Sequence, residues 1–279
     1  MEMLLPGGMA DSQGVHKDFA FRLLTGAVEL AMADSVRSNM VHPQMVTGVL
    51  SSAIAHIGSR VVSPEQVSNL CVGDRQFLMR QLVAFLGRDA RWLTAECSQC
   101  GVGFDFFIEL SKLPVKPAGR GYPLVRVDTA AGSCEFRLPA GSDQSEIVSI
   151  ANEKQASAVL LNRCLITVNG EKPPEEGIAF CAKDMALIDA AMEAVAPEIA
   201  MQVQASCPGC GADNVMELDL SDFVSSQIGN IYTDIHTLAW YYHWGEEEIL
   251  NMPRSRRQQY LALIDRARGL HRQPEGLVQ

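Results

Sequence analysis

Cys97-Ser98-Gln99-Cys100-Gly101 recurs as Cys207-Pro208-Gly209-Cys210-Gly211, 110 residues further along the chain. Working outward from these two pentapeptides without a gap, Val49–Ser111 laid on Val159–Ser221 gives 14 identities in 63 positions. Average residue usage would give roughly four. The coincident pairs include Pro64/Pro174, Glu65/Glu175, Cys71/Cys181 and Asp74/Asp184 as well as the cysteines and their glycines. A second match, Phe21-Arg22-Leu23-Leu24-Thr25-Gly26 against Phe136-Arg137-Leu138-Pro139-Ala140-Gly141, sits at an offset of 115, so the copies begin near Asp18 and Ser133. The expected fold class is α+β: an internally duplicated helical and β-hairpin module, followed by a helical tail without a counterpart in the first copy.

Each copy reads alike. A Phe-Arg-Leu strand precedes helical patterns over 27–40 and 43–57 in the first copy, and over 145–152 and 156–166 in the second. A Pro-Glu turn leads to a helix expected to open at Asp74 or Asp184, a good N-cap residue type, with apolar residues at helical spacing behind it. Short strands flanking Cys-x-x-Cys-Gly close each copy. Two prolines and two glycines in 112–122 mark the boundary between them. The expected organisation is a flexible N-terminus over 1–14, copy 1 over 15–118, copy 2 over 119–225 and a helical docking tail over 226–279.

Composition narrows the function classes. With 279 residues, 47% of them hydrophobic and 20% charged, the chain is an ordinary soluble globular one. No uncharged apolar stretch approaches the ~18 residues of a membrane span, and Met1–Gly14 lacks the basic start of a secretory signal, so neither anchoring nor export is expected. In a reducing compartment the eight cysteines point to metal ligands or apolar filler before disulfides.

Two thiolates two residues apart reach one tetrahedral Zn²⁺, and the glycine after the second permits the tight turn. A structural zinc takes four ligands, and each copy supplies only two. Cys97, Cys100, Cys207 and Cys210 are therefore expected to share one Cys₄ zinc-ribbon-like site that staples the copies together. A thioredoxin-type dithiol needs its first cysteine at a helix N-terminus, whereas the segments after both motifs are strand-like. Catalytic zinc keeps an open position and usually takes histidine or carboxylate ligands. Cys71, Cys134, Cys164 and Cys181 lack partners at ligand spacing and read as apolar filler.

The six histidines pair with no Ser, Cys or carboxylate in the sequence pattern, and no Gly-rich phosphate loop, Gly-x-Ser-x-Gly or His-Glu-x-x-His is present. The chain reads as a non-enzyme. Charge weighs against nucleic acid: Asn251–Gln279 carries six arginines and two acids, net +4, which leaves Met1–Leu250 at -14 of the total -10. A zinc-ribbon nucleic-acid-binding regulator and a thiol-disulfide oxidoreductase stay as alternatives.

The tail runs His236-Thr237-Leu238-Ala239-Trp240-Tyr241-Tyr242-His243-Trp244-Gly245, then Glu248-Ile249-Leu250-Asn251-Met252-Pro253, then Arg256-Arg257-Gln258-Gln259-Tyr260-Leu261, and reads as three short helices. Gly245 with Glu248 suits a helix start, and Pro253 suits the opening of the last helix. Tyr242, Trp244, Ile249, Leu250, Arg256, Arg257, Tyr260 and Leu261 are the candidate partner-binding residues. The order His-x-Leu-Ala-x-x-Tyr-Gly-Trp-Ser-x-x-Glu-Ile-x-x-Leu-Pro-x-x-Arg-Arg-x-x-Tyr-Leu resembles the baseplate and baseplate-hub assembly proteins of contractile phage tails and tail-like injection systems, of the T-even type. Here His243 replaces the Gly of that pattern, Gly245 the Ser and Met252 the Leu. Phe136-Arg137-Leu138-Pro139-Ala140-Gly141 with Asp143, and Cys207-Pro208-x-Cys210-Gly211, are similar to it too. The resemblance implies an assembly chaperone or a structural subunit of the baseplate hub. It would act with hub or other tail proteins in the cytoplasm of the bacterial host cell, with retention in the finished particle left open.

Overall fold

The computed structural model describes residues 3–38, 40–87, 89–228 and 230–269. The first unit runs β1 (Met3–Asp11), β2 (Gly14–Phe21), α1 (Gly26–Arg37), α2 (His42–Ala53), β3 (Ile54–Ile57), β4 (Arg60–Val61), α3 (Pro64–Ser68), α4 (Val72–Phe85), β5 (Ala90–Glu96) and β6 (Gly103–Glu109). A 3-10 turn over Leu110–Lys112 and β7 (Val115–Lys116) lead into the second unit. This comprises β8 (Leu124–Thr129), β9 (Gly132–Arg137), α5 (Gly141–Ile147), α6 (Glu153–Cys164), β10 (Leu165–Val168), α7 (Ala182–Val195), β11 (Glu198–Ile199), β12 (Gln202–Ser206) and β13 (Asp213–Glu217). Four helices finish the described chain: α8 (Leu220–Ile228), α9 (Ile231–Tyr242), α10 (Glu246–Asn251) and α11 (Arg254–Ala267).

Much of the first unit's element order returns in the second, although β4 and α3 have no counterpart there and β11 has none in the first. After a shift of 110, the bounds of α4 fall on those of α7, and after a shift of 115 the first residue of α1 falls on that of α5. The sheets are antiparallel: β1-β2-β3-β4 in the first unit, β10-β9-β8 in the second, and a separate two-stranded hairpin at the end of each, β5–β6 and β12–β13.

Several local expectations are corrected. The helical runs expected to 57 and 166 stop at Ala53 and Cys164, where β-branched residues (Ile54, Ile57 and Ile166, Thr167) carry the chain into β3 and β10. The second unit's first helix, expected over 145–152, spans Gly141–Ile147. α4 and α7 are capped by Cys71 and Cys181, not by Asp74 and Asp184, which stand in the first helical turn. The N-terminal stretch expected to be flexible forms β1, because Leu5 inserts into the first core and the strand pairs with β2. The helical tail was expected from 226, but α8 starts at Leu220 and lays Leu220, Val224 and Ile228 into the first unit's core beside Met32, Leu78 and Leu82. The stretch 270–279 assigned to that tail lies outside the described residues.

The second core gathers Val125, Phe136, Leu138, Leu161, Cys164 and Ile188. β7 pairs with β11 through Val115↔Ile199 and Lys116↔Glu198, and Ala200 N–H donates to Pro114 O at 3.2 Å, so the bases of the two hairpins are tied together. Gly73 serves the same junction, since a Cβ there would collide with Pro197 O. Among the described residues no helix is long and apolar enough to cross a membrane.

Candidate metal centre

Cys97 and Cys100 sit in the turn of the β5–β6 hairpin, Cys207 and Cys210 in that of β12–β13. Each turn is built the same way. Gly101 N–H donates to Cys97 O and Gly211 N–H to Cys207 O, both at 2.9 Å, while Cys97 N–H bonds Val102 O at 3.0 Å and Cys207 N–H bonds Ala212 O at 2.8 Å. Gly101 and Gly211 take φ of +70° and +75°, a left-handed turn that the missing side chain makes inexpensive.

The hairpins bring their tips together. All four Sγ atoms lie within 4.8 Å of one another, with Cys97 to Cys210 at 3.6 Å and Cys100 to Cys207 at 3.7 Å. Four thiolates at ~2.3 Å from a tetrahedral Zn²⁺ would be about 3.8 Å apart, so the donor set fits that ion. Cys97 and Cys207 are buried and Cys100 and Cys210 exposed. The N–H groups of Cys100 and Gln99 hold the Cys97 thiol down at about 6. The Ala212 N–H favours the Cys210 thiolate too, but the crowding of Cys100, Cys97 and Cys207 pushes Cys210 up to about 12. Four sulfurs this close cannot all carry charge unless a cation shares it.

One residue escaped the sequence reading. Asn214 of β13, 5% exposed, accepts from Ser98 N–H at 2.9 Å and Ser98 Oγ at 3.0 Å, while its Nδ2 donates to Ala212 O at 2.9 Å and points at Cys97 Sγ at 3.7 Å. It strings one hairpin tip to the other. The equivalent position in the first unit is Phe104, an apolar plug against Cys97 and Cys207.

The other four cysteines lie apart. Cys134 and Cys164 are buried in the second core, and Cys71 and Cys181 cap α4 and α7. Cys181 is exposed, so the expectation of apolar surroundings does not hold for it. The fold also makes two histidine pairs invisible in the sequence: His42 Nε2 lies 2.8 Å from Ser221 Oγ where α8 meets α2, and His16 lies 3.2 Å from Asp11.

The tail residues proposed for a partner are placed differently from one another. Leu238, Ile249, Leu261 and Ile264 make a small core of their own. Over it Tyr242 and Trp244 stack at 4.6 Å, Tyr260 meets Trp244 edge-on at 4.8 Å, and Arg256 lies over the Tyr260 ring. Ile249 and Leu261 are thus spent inside the chain, and Leu250 packs by its backbone against Gly26. Arg257 is fully buried and pairs with Glu29 of α1 at 2.7 Å, so it is an internal lock and does not face a partner. Outside this cluster Trp240 and Tyr241 are 71% and 43% exposed.

The family profile of the T4 bacteriophage base plate protein matches residues 44–225, which take in both hairpins and all four clustered cysteines. The chain belongs to the T4 bacteriophage base plate protein family. Membership supports a structural, baseplate-related role for the chain. No curated protein and no solved structure matches the chain. Within the base plate protein the matched segment ends inside α8, so α9 to α11, which carry the tail pattern read from the sequence, lie beyond it.

Proposed function

We propose that this base plate protein is a non-enzymatic assembly chaperone or structural subunit of a contractile-tail baseplate hub, whose two units arose by internal duplication and are pinned together by one structural Zn²⁺. The reading rests on one observation: cysteines from hairpins 110 residues apart converge until all four sulfurs lie within 4.8 Å of one another. Cys97, Cys100, Cys207 and Cys210 would hold the ion, and four thiolates leave no open position for a substrate. The metal supplies cross-linking only. The two hairpin tips, joined at their bases by β7–β11, then act as a rigid bridge between the cores.

The helical tail is the element through which we expect hub or other tail proteins to be bound, in the host cytoplasm during assembly. Its basic arginines stand against an acidic body, which favours a protein partner over nucleic acid. Metal analysis of the purified chain tests the central reading: one Zn²⁺ per chain is expected, with Cys207→Ser abolishing it, and a metal-free wild type overturns it. Co-purification from cells carrying a tail gene cluster, with mass spectrometry of finished particles, decides between chaperone and retained subunit.

A further inference from the structure

One contact is built twice in this chain, and its two versions differ by a carboxylate. Cys71, the cap of α4, forms an antiparallel bridge with Ala140, and Pro253, the cap of α11, forms one with Thr25. Thr25 and Ala140 are equivalent after the 115-residue shift that lays one Phe-Arg-Leu strand on the other. The flanking bonds correspond too. Gly141 N–H donates to Leu70 O at 3.3 Å as Gly26 N–H does to Met252 O at 3.2 Å, and Val72 N–H donates to Pro139 O at 3.1 Å as Arg254 N–H does to Leu24 O at 2.7 Å. Four residues after each cap comes a buried arginine, Arg75 or Arg257. Each lies against the glycine of the turn that it meets: a Cβ on Gly141 would overlap the Arg75 guanidinium, and one on Gly26 would come within 3.2 Å of Arg257 Nη1.

At the first-unit turn the charge is balanced. Glu29, 2% exposed, faces Arg257 at 2.7 Å and Arg254 at 3.5 Å. At the other turn the 115-residue shift puts Gln144 in the place of Glu29, and Val72 stands in that of Arg254. Arg75 is as deeply buried as Glu29 but meets only neutral acceptors: Pro43 O at 2.7 Å, Val67 O at 2.9 Å and Thr47 Oγ1 at 3.0 Å. It makes no ion pair among the described residues, and these bonds use three of the five N–H donors of a guanidinium. Burial without a facing carboxylate draws Arg75 down to about 10. A charge so placed is costly unless it is paired.

Beside Arg75 there is open space. A cavity of about 390 Å³ lies where α2, α4, α5 and the β13–α8 junction meet, and both Arg75 and Gln144 line it. Val46, Val72, Met79 and Met201 supply its apolar wall, and Glu217 and Asp219 also border it. We propose that this cavity is a binding site for a monocarboxylate with a short apolar chain, whose carboxylate faces Arg75 as Glu29 faces Arg257. The apolar chain lies against Val72, where the first-unit turn has its second arginine. Glu217 and Asp219 repel further negative charge, so a monoanion is accepted and a phosphate dianion is rejected. The volume suits a small ligand. A free short-chain acid and the C-terminal carboxylate of a peptide share this chemistry. The site goes beyond the proposed hub role and does not depend on the metal.

Nuclear magnetic resonance on the full-length, nitrogen-labelled protein tests it at pH 8. The probes are butyrate, butyramide, inorganic phosphate, the peptide acetyl-Gly-Val with a free carboxyl terminus, and the same peptide amidated. Butyrate or the free-acid peptide is expected to shift the Arg75 Nε–H resonance saturably, while the two amides and phosphate leave it in place. The acid that binds more tightly identifies the source of the carboxylate. No saturable shift from either acid, or an equal shift from its amide or from phosphate, overturns the site, and this arm needs no variant. Full-length Gln144→Glu then supplies the carboxylate from within, at the position that Glu29 holds in the first unit. It should weaken binding of the acid by roughly tenfold or more through like-charge repulsion and occupation of Arg75, with an unchanged circular dichroism spectrum. A folded Q144E that binds as wild type does overturns the pairing of ligand carboxylate with Arg75.

Discussion

Asp74 and Tyr122 meet across the boundary of the two units, the tyrosine hydroxyl donating to Asp74 Oδ2 at 2.9 Å. The same carboxylate accepts from the N–H groups of Gly7 and Gly8, each at 2.8 Å, and so fastens β1 to the start of α4. Burial, with Asp74 beside it, pushes the Cys71 thiol up to about 12, so that thiol stays protonated and donates to Asp74 as well. Asp184 holds the equivalent place in the second unit with less: Ala130 N–H at 3.2 Å and the Cys181 thiol.

Asp74→Asn replaces an acceptor-only group by one whose amide must face N–H donors. A loss on the order of 3 kcal/mol is expected, from charged hydrogen bonds worth ~1.5–3 each. Asp184→Asn should cost about 1 kcal/mol. Urea denaturation of the two variants compares them, and equal losses would contradict the asymmetry.

Asn214→Ala removes the strap between the hairpin tips while leaving the four sulfurs. If those cysteines hold Zn²⁺, affinity in a chelator competition should fall by roughly 10- to 100-fold, as for other groups that orient ligands. Phe104→Ala, at the equivalent place on the other tip, should act mainly through lost packing and leave Ser98 bonded.

How much of this was legible in the sequence follows from what kind of signal each feature leaves. The cysteine cluster was readable because ligand chemistry demands rare residues at fixed spacing, and the repeat doubled that signal. The ends of α2 and α6 were not, since Ile54 and Ile166 continue an apolar helical pattern and only the sheet they join turns them into strands. Arg257 illustrates the harder case: in sequence it sits in a basic run that looks like a solvated face, and its partner Glu29 is 228 residues away. Asn214 leaves no mark at all, because an asparagine after a strand start is ordinary until Ser98 is placed beside it.

Asp143 gives a pH signature. Burial alone would raise its carboxyl, but the Arg137 guanidinium, the Ala140 N–H and Arg163 bond the charged form and hold it below the ordinary range. A carboxylate depressed in the folded state stabilises at pH above its unfolded value of ~3.9, and that contribution is lost as pH falls through the folded value. The stability difference between wild type and Asp143→Asn should therefore be constant from pH 8 to 5 and shrink below about pH 4. A difference that grew on acidification would have the wrong sign.

Trp244 and Trp240 separate tail integrity from tail surface. Trp244→Ala removes a ring that stacks on Tyr242 and meets Tyr260 edge-on, and should cost about 3 kcal/mol, in the range of large aromatic truncations, melting the tail ahead of the body. Trp240→Ala, at an exposed ring, should change stability by no more than ~0.5 kcal/mol. Hydrogen exchange of α9 and α11 distinguishes the two.

His243 stands where the phage-tail pattern has glycine, and the geometry gives the reason for that glycine. It is the C-terminal cap of α9, with φ +56° and ψ +27°, its N–H donating to Ala239 O at 2.9 Å. A left-handed cap costs an L-residue roughly 1 kcal/mol that glycine avoids, while glycine gives back part of the gain through its freer unfolded chain. The exposed imidazole makes no hydrogen bond that would offset the strain among the described residues, so His243→Gly should raise stability by about 0.5 kcal/mol. A thermal melt that monitors Trp244 fluorescence would register the gain in the tail, and a lowered midpoint would mean that the imidazole contributes more than its backbone strain costs.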